Sequence, residues 1–169
     1  TSWYPLAADG ERKGIARLRI SVPLGRVAVA DEMNLSSESG DSTERTYEFQ
    51  VRTPTYFVFL EGPFRRFTRP GRVPISAYAL PGTQVKPEYL ERVSQVVTAL
   101  EAEFGPYPFR GFTLVGVSRD LLHRSGTDGT AFLGGMVLGS QALDPPDFAL
   151  ALPYVAHEAS HQWFPFTVR

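Results

Sequence analysis

The chain predicts an α+β fold, strand-rich in its first half and joined by helices in its second. Three observations carry this. In Ala16-Arg17-Leu18-Arg19-Ile20-Ser21-Val22, apolar and polar residues alternate strictly, as in a strand with one buried and one wet face. After Pro87 the apolar period becomes helical, through Leu90, Val93, Val97, Leu100 and Phe104. Near the end, His157-Glu158-Ala159-Ser160-His161 lies in an apolar run that also reads as helix.

In chain order, Pro23-Leu24-Gly25 is a turn, and the alternation resumes from Arg26 to Ala30 through Val27 and Val29. Asp31 to Glu44 is rich in Ser, Asp, Glu and Gly and reads as an exposed loop. Tyr47, Phe49 and Val51 alternate with Glu48, Gln50 and Arg52, a second half-buried strand. Tyr56 to Leu60 is continuously apolar and reads as a central strand ended by Gly62-Pro63. Arg65, Arg66, Arg69 and Arg72 fall in a solvated hairpin or loop, and Val73 to Leu80 is a further strand. Strand after strand with short turns means an antiparallel sheet or sandwich.

The helix that follows has Pro87 suited to its first turn and Gly105 suited to its C-terminal cap. Gly111 to Val117 is a strand, and a polar loop containing His123 runs on to Gly129. Phe132 to Ser140 reads as one strand whose glycines admit another backbone closely. Asp144-Pro145-Pro146-Asp147 is a loop into the last helix, with Pro153 in its first turn and Pro165 as its stop.

That helix carries the chemistry. His157 and His161 stand four apart and project from one face, so both imidazoles can reach one metal ion. Zinc suits imidazole nitrogen, and a catalytic zinc takes three protein ligands and keeps one open position. Glu158 points off the ligand direction and is placed to act as a general base. The bland alternative is a buried helix whose histidines are satisfied by core hydrogen bonds.

At 169 residues the chain suits one good core, or two pieces sharing an interface. A net charge of −1 argues against nucleic acid as a partner and against a polybasic membrane anchor. There is no cysteine, hence no disulfide framework and no thiolate nucleophile, and no apolar run approaches membrane-spanning length.

Glu103-Phe104-Gly105-Pro106-Tyr107-Pro108-Phe109, the Gly111–Val117 strand and His157 through Gln162-Trp163-Phe164 resemble the aminopeptidase N family of zinc metallopeptidases. Upstream, Trp3-Tyr4-Pro5, the strand pairs and Val73-Pro74-Ile75-Ser76-Ala77-Tyr78-Ala79 resemble the later part of that family's N-terminal β domain. The resemblance covers nearly the whole chain. It implies a saddle-like β domain over residues 1–82, then the opening of a thermolysin-like catalytic domain over residues 83–169. It also implies zinc as cofactor on His157 and His161, Glu158 as base, and a peptide as substrate. The family's third zinc ligand is a Glu about twenty residues past the second His. The chain stops at Arg169, so it is expected to be an inactive piece of a longer enzyme that holds zinc weakly or not at all.

The family's exopeptidase motif is Gly-Ala-Met-Glu-Asn, whose Glu binds the substrate α-amine. Here Gly129-Thr130-Ala131-Phe132-Leu133 stands in its place, and the Phe132 ring cannot pair with an ammonium. The backbone of Gly129 through Leu133, with Gly134 and Gly135, keeps the capacity to bind an extended substrate along a strand edge. Pro165-Phe166 also replaces the family's usual Gly-Asn, a mark of a divergent branch. Two readings follow: a divergent zinc metallopeptidase, favoured by the intact His157, Glu158 and His161, or a non-catalytic binding or scaffold module, favoured by Phe132. A truncated domain is further expected to expose Tyr154, Val155 or Trp163 and to self-associate through them.

Overall fold

Alternation in the first half resolves into paired strands. A computed structural model describes residues 17–30, 35–50, 58–164 and 166–167. The chain divides into two compact units, Thr1–Gly62 and Pro63–Arg169. Of the expected Tyr56–Leu60 strand, Tyr56 and Phe57 lie outside the described residues, as do Trp3-Tyr4-Pro5 and Val51-Arg52; of Val58, Phe59 and Leu60, only Leu60 is in a strand.

In the first unit, β1 (Arg17–Pro23) pairs antiparallel with β4 (Glu44–Gln50), with Leu18 opposite Phe49 and Ile20 opposite Tyr47. The Pro23-Leu24-Gly25 turn forms, closed by Arg26 N–H donating to the Pro23 carbonyl at 3.1 Å. It leads to β2 (Val27–Val29), which pairs antiparallel with β5 (Leu60–Gly62). Val22, Ala28, Ala30, Tyr47 and Phe49 form one buried cluster, as the period of two requires.

The expected loop over residues 31–44 is corrected. Leu35–Gly40 forms β3, the outer strand of the order β1-β4-β3. Its register is set by the Asp41 carboxylate, which accepts from Thr43 N–H at 2.7 Å and from Glu44 N–H at 3.0 Å. Such an Asx turn lets a polar segment double back. An edge strand open to water does not need the apolar alternation by which strands are recognised.

The second unit is built on a five-stranded mixed sheet in the order β6-β7-β8-β10-β9. β6 (Arg65–Arg69) and β7 (Ile75–Ala79) are an antiparallel hairpin, and β7 runs parallel to β8 (Phe112–Val117). The two strands before residue 82 thus share a sheet with the elements after it. β8 runs parallel to β10 (Gly135–Gly139), which pairs antiparallel with β9 (Gly129–Phe132) at the edge. The single strand read over Phe132–Ser140 is therefore a hairpin tip plus β10. Its turn is made by Leu133 and Gly134, where φ is 81°, a value that costs glycine nothing.

Buried on both faces, β7, β8 and β10 read as apolar runs, and α1 (Pro87–Phe104) packs over the sheet through Tyr89, Leu90, Val93 and Val97. Phe104, expected in that stripe, is 44% exposed. The loop expected after β8 holds a second helix, α2 (Arg119–Ser125), which carries His123. Ser118 caps it by accepting from Leu121 N–H, and Gly126 closes it.

Three of the four clustered arginines are spent on polar pairing, and Arg65 lies over the Phe67 ring. Arg69 binds Glu91 at 2.6 Å, Arg66 donates to Ser76, and Arg72 chelates both carboxylate oxygens of Glu101. Glu101 is buried and also accepts from the buried Tyr107 N–H at 2.8 Å. Glu101→Ala orphans that N–H and is expected to cost about 1.5–3 kcal/mol, read from urea unfolding followed by tryptophan fluorescence.

Candidate metal centre

The last helix, α3, spans Phe148–Ser160 and begins where the Asp147 side chain accepts from Ala149 N–H at 2.8 Å. It starts well before Pro153, contrary to the expectation. Pro153 sits in its interior, where it can offer no N–H to the Ala149 carbonyl, and the helix continues through it. Val155 and Ala159 bury against the sheet core with Trp163, which fixes how the helix is rotated. Val155 and Trp163 are 1% and 3% exposed, so neither offers the surface expected to drive self-association.

That rotation places the motif. His161 follows the last helical residue but keeps helical angles (φ −61°, ψ −17°), so its side chain stays in register with His157. The two imidazole centroids are 5.0 Å apart with planes at 85°. His161 Nδ1 lies 2.9 Å from the Phe164 carbonyl oxygen. A carbonyl only accepts, so Nδ1 carries the proton and Nε2 keeps its lone pair. A backbone carbonyl fixing the tautomer is the arrangement that metal-ligating histidines use. Glu158 is buried and His157 is exposed.

Among the described residues no group of three His, Cys, Asp or Glu side chains converges. The donor set present is two imidazoles one helical turn apart. It fits zinc in donor type, and it supplies two of the three protein ligands that a catalytic zinc takes.

Two residues at this centre escaped the sequence reading. Gln162 is fully buried, and both ends of its amide are used. Its Oε1 accepts from Gly134 N–H at 2.8 Å, while Nε2 donates to the carbonyls of Phe132 and Gly135, each at 3.1 Å. The residue after the second histidine thus clamps the β9–β10 turn. A lone polar residue between His161 and two aromatics was the one signal for it. Trp163 then ties the same end of α3 to the α1–β8 loop, donating from Nε1 to the Gly105 carbonyl at 3.2 Å and meeting Tyr107 edge to face.

The second is Tyr154, one turn before Glu158. Its hydroxyl is buried without a hydrogen-bond partner among the described residues. Burial first, then Glu158 and Asp128, push its pKa up to about 12. That hydroxyl lies over Gly129, where any Cβ would fall on it and 2.6 Å from the Val137 carbonyl. Glycine is the residue that leaves room for this approach.

The seven residues singled out as a substrate edge fall on β9, its turn and the first residue of β10. Thr130 is exposed and Gly129 and Ala131 are half-buried on the edge strand. Phe132 and Leu133 are buried, and the Phe132 ring lies against Gly135.

No family model matches the chain, and no curated protein matches it in sequence. Solved structures do resemble it. A zinc metallopeptidase of the M1 class from Deinococcus radiodurans, in a mutant form bound to a Tyr-Ser-Ala substrate, matches with a TM-score of 0.65 and 20% identity over 88% of this chain and 34% of that one. A further structure of an M1 zinc metallopeptidase from that organism matches at a TM-score of 0.62 and 21% identity, again over 88% and 34%. A two-domain M1 zinc metallopeptidase bound to L-arginine matches at a TM-score of 0.61 and 20% identity, over 88% and 33%. The chain spans about a third of the length of these structures, and the likeness is one of fold.

Replacing Gln162 by Met keeps the volume but orphans the three backbone groups of the turn. A loss of about 1–3 kcal/mol in urea unfolding is expected, with faster amide exchange at Gly134. Gly129→Ala should destabilise by about 1–3 kcal/mol through overpacking. Adding Tyr154→Phe removes the hydroxyl that the new methyl meets, and a double-mutant cycle should recover part of that loss.

Proposed function

We propose that this chain carries the metal-binding and general-base part of a zinc-dependent peptidase centre. The observation that carries this is the imidazole pair. His157 and His161 lie at ligand spacing on the end of α3, with the His161 tautomer set by a backbone carbonyl. Likeness in fold to zinc metallopeptidases, one of them holding a Tyr-Ser-Ala substrate, supports the same reading.

His157 and His161 would hold the zinc. When bound, zinc supplies Lewis acidity. Glu158 takes the proton of an attacking water on its carboxylate. The edge strand β9 receives the substrate as an added strand, its backbone pairing with the peptide at Thr130. Phe132, buried against Gly135, offers no charge to a substrate amine, so recognition on β9 rests on backbone rather than on the N-terminus. We assign residues 1–62 to the β domain of such an enzyme and residues 63–169 to the opening of its catalytic domain, moving the expected boundary at residue 82 back to where the β6-β7-β8 sheet begins. The second reading, a peptidase-like binding module, draws on the same buried Phe132.

Zinc titration by calorimetry on this chain tests the first. Weak one-to-one binding is expected, and His157→Ala and His161→Ala should each abolish it. A wild-type trace indistinguishable from that of His157→Ala would remove the metal centre from this chain and reduce the histidine pair to half a site.

A further inference from the structure

Two tyrosines of the second unit bury hydroxyls that nothing in the fold uses. Among the described residues neither the Tyr89 nor the Tyr154 hydroxyl has a hydrogen-bond partner, and Tyr89 is fully buried. Buried polar atoms are ordinarily hydrogen-bonded, so each exception asks for a reason. Phenylalanine at both positions would fill the same space with no oxygen to desolvate. The two come from different helices, α1 and α3, and are held by different neighbours. The Tyr89 ring packs on Phe148 with centroids 5.7 Å apart, and the Tyr154 hydroxyl lies over Gly129.

What they share is a cavity. A space of about 470 Å³ lies between α2, α3 and β10, and both tyrosines line it; small-molecule pockets usually span ~300–1,000 Å³. Leu122, Leu138 and Val155 add apolar wall, and none of His157, Glu158 and His161 lines it. Burial raises the pKa of both phenols, and at Tyr154 the carboxylates of Glu158 and Asp128 raise it further. Both are therefore O–H donors at neutral pH, and the guest that answers them carries an acceptor oxygen. The charged lining groups Arg119 and Asp128 are exposed and of opposite sign. A charged guest would leave water for inner polar groups that are uncharged, a cost that hydroxyls do not offset. A neutral guest avoids that cost.

We infer that this cavity binds a small neutral carbonyl compound with an apolar body (a ketone, ester or amide), its oxygen accepting from a buried tyrosine hydroxyl. The inference stands whether or not zinc binds at His157 and His161.

The test is a chemical-shift titration of the ¹⁵N-labelled chain, free of metal, with acetophenone. Toluene has the ring without the oxygen, and benzoate has acceptor oxygens with a charge. Acetophenone should shift amides of α2, β10 and the first half of α3. It should bind about two- to tenfold more tightly than either comparison compound, the scale of one net hydrogen bond. Because the hydroxyls have no partner to lose, Tyr89→Phe, Tyr154→Phe and the double variant should keep the fold, and the amide spectrum verifies it. The preference for acetophenone over toluene should shrink in one single variant or both and vanish in the double variant, with toluene binding unchanged. If water alone answers the hydroxyls, acetophenone and toluene bind alike and the inference falls. It falls equally if acetophenone shifts no amides there, if benzoate binds more tightly, or if the double variant keeps the preference. Because the assay contains no metal, its failure is separate from that of the zinc titration.

Discussion

The Gln162 carboxamide sits in an interior closed to water, where each polar group left without a partner costs about 1–3 kcal/mol. It therefore has to accept and donate within the protein, and its partners are all in the β9–β10 turn. The arrangement makes one unit of two parts that are distant in sequence. The helix end bearing His161 and the edge strand cannot shift relative to each other without breaking a buried hydrogen bond. Trp163 fastens the other side of that helix end to the α1–β8 loop. An imidazole pair held this firmly is pre-positioned for a ligand, which lowers the ordering cost of binding one.

The electrostatics are local rather than global. Among the described residues the near-neutral chain sets two of its second-unit arginines on specific carboxylates, Arg69 on Glu91 and Arg72 on Glu101. The histidines also sit at the C-terminal end of α3, where the helix dipole is negative and favours a cation. The field and the donor atoms agree there.

Much of this was legible because burial leaves a period in the sequence. The stripe of Leu90, Val93 and Val97 became α1, and Tyr47 and Phe49 became the inner face of β4. The misses have one physical origin: elements specified by polar contacts have no apolar period. β3 is set by the Asp41 turn, and α2 by the Ser118 cap and Gly126. The start of α3 was misplaced because Pro153 was given its usual position, while Asp147 supplied the cap. The histidine pair was readable from spacing alone. Gln162 and the Tyr154–Gly129 contact were not, since each depends on residues 25 or more positions apart being brought together by the sheet.

The clamp also has a direction in time. The turn it holds lies 28 residues upstream of Gln162, so a ribosome delivers the hairpin well before the side chain that fixes it. Until then, Gly134 N–H and the Phe132 and Gly135 carbonyls lack the side chain that satisfies them in the fold and must turn to water. During synthesis, therefore, the edge of the sheet is finished only after both histidines have left the peptidyl-transferase centre. The candidate centre and its strand mature together, at the end of the described chain.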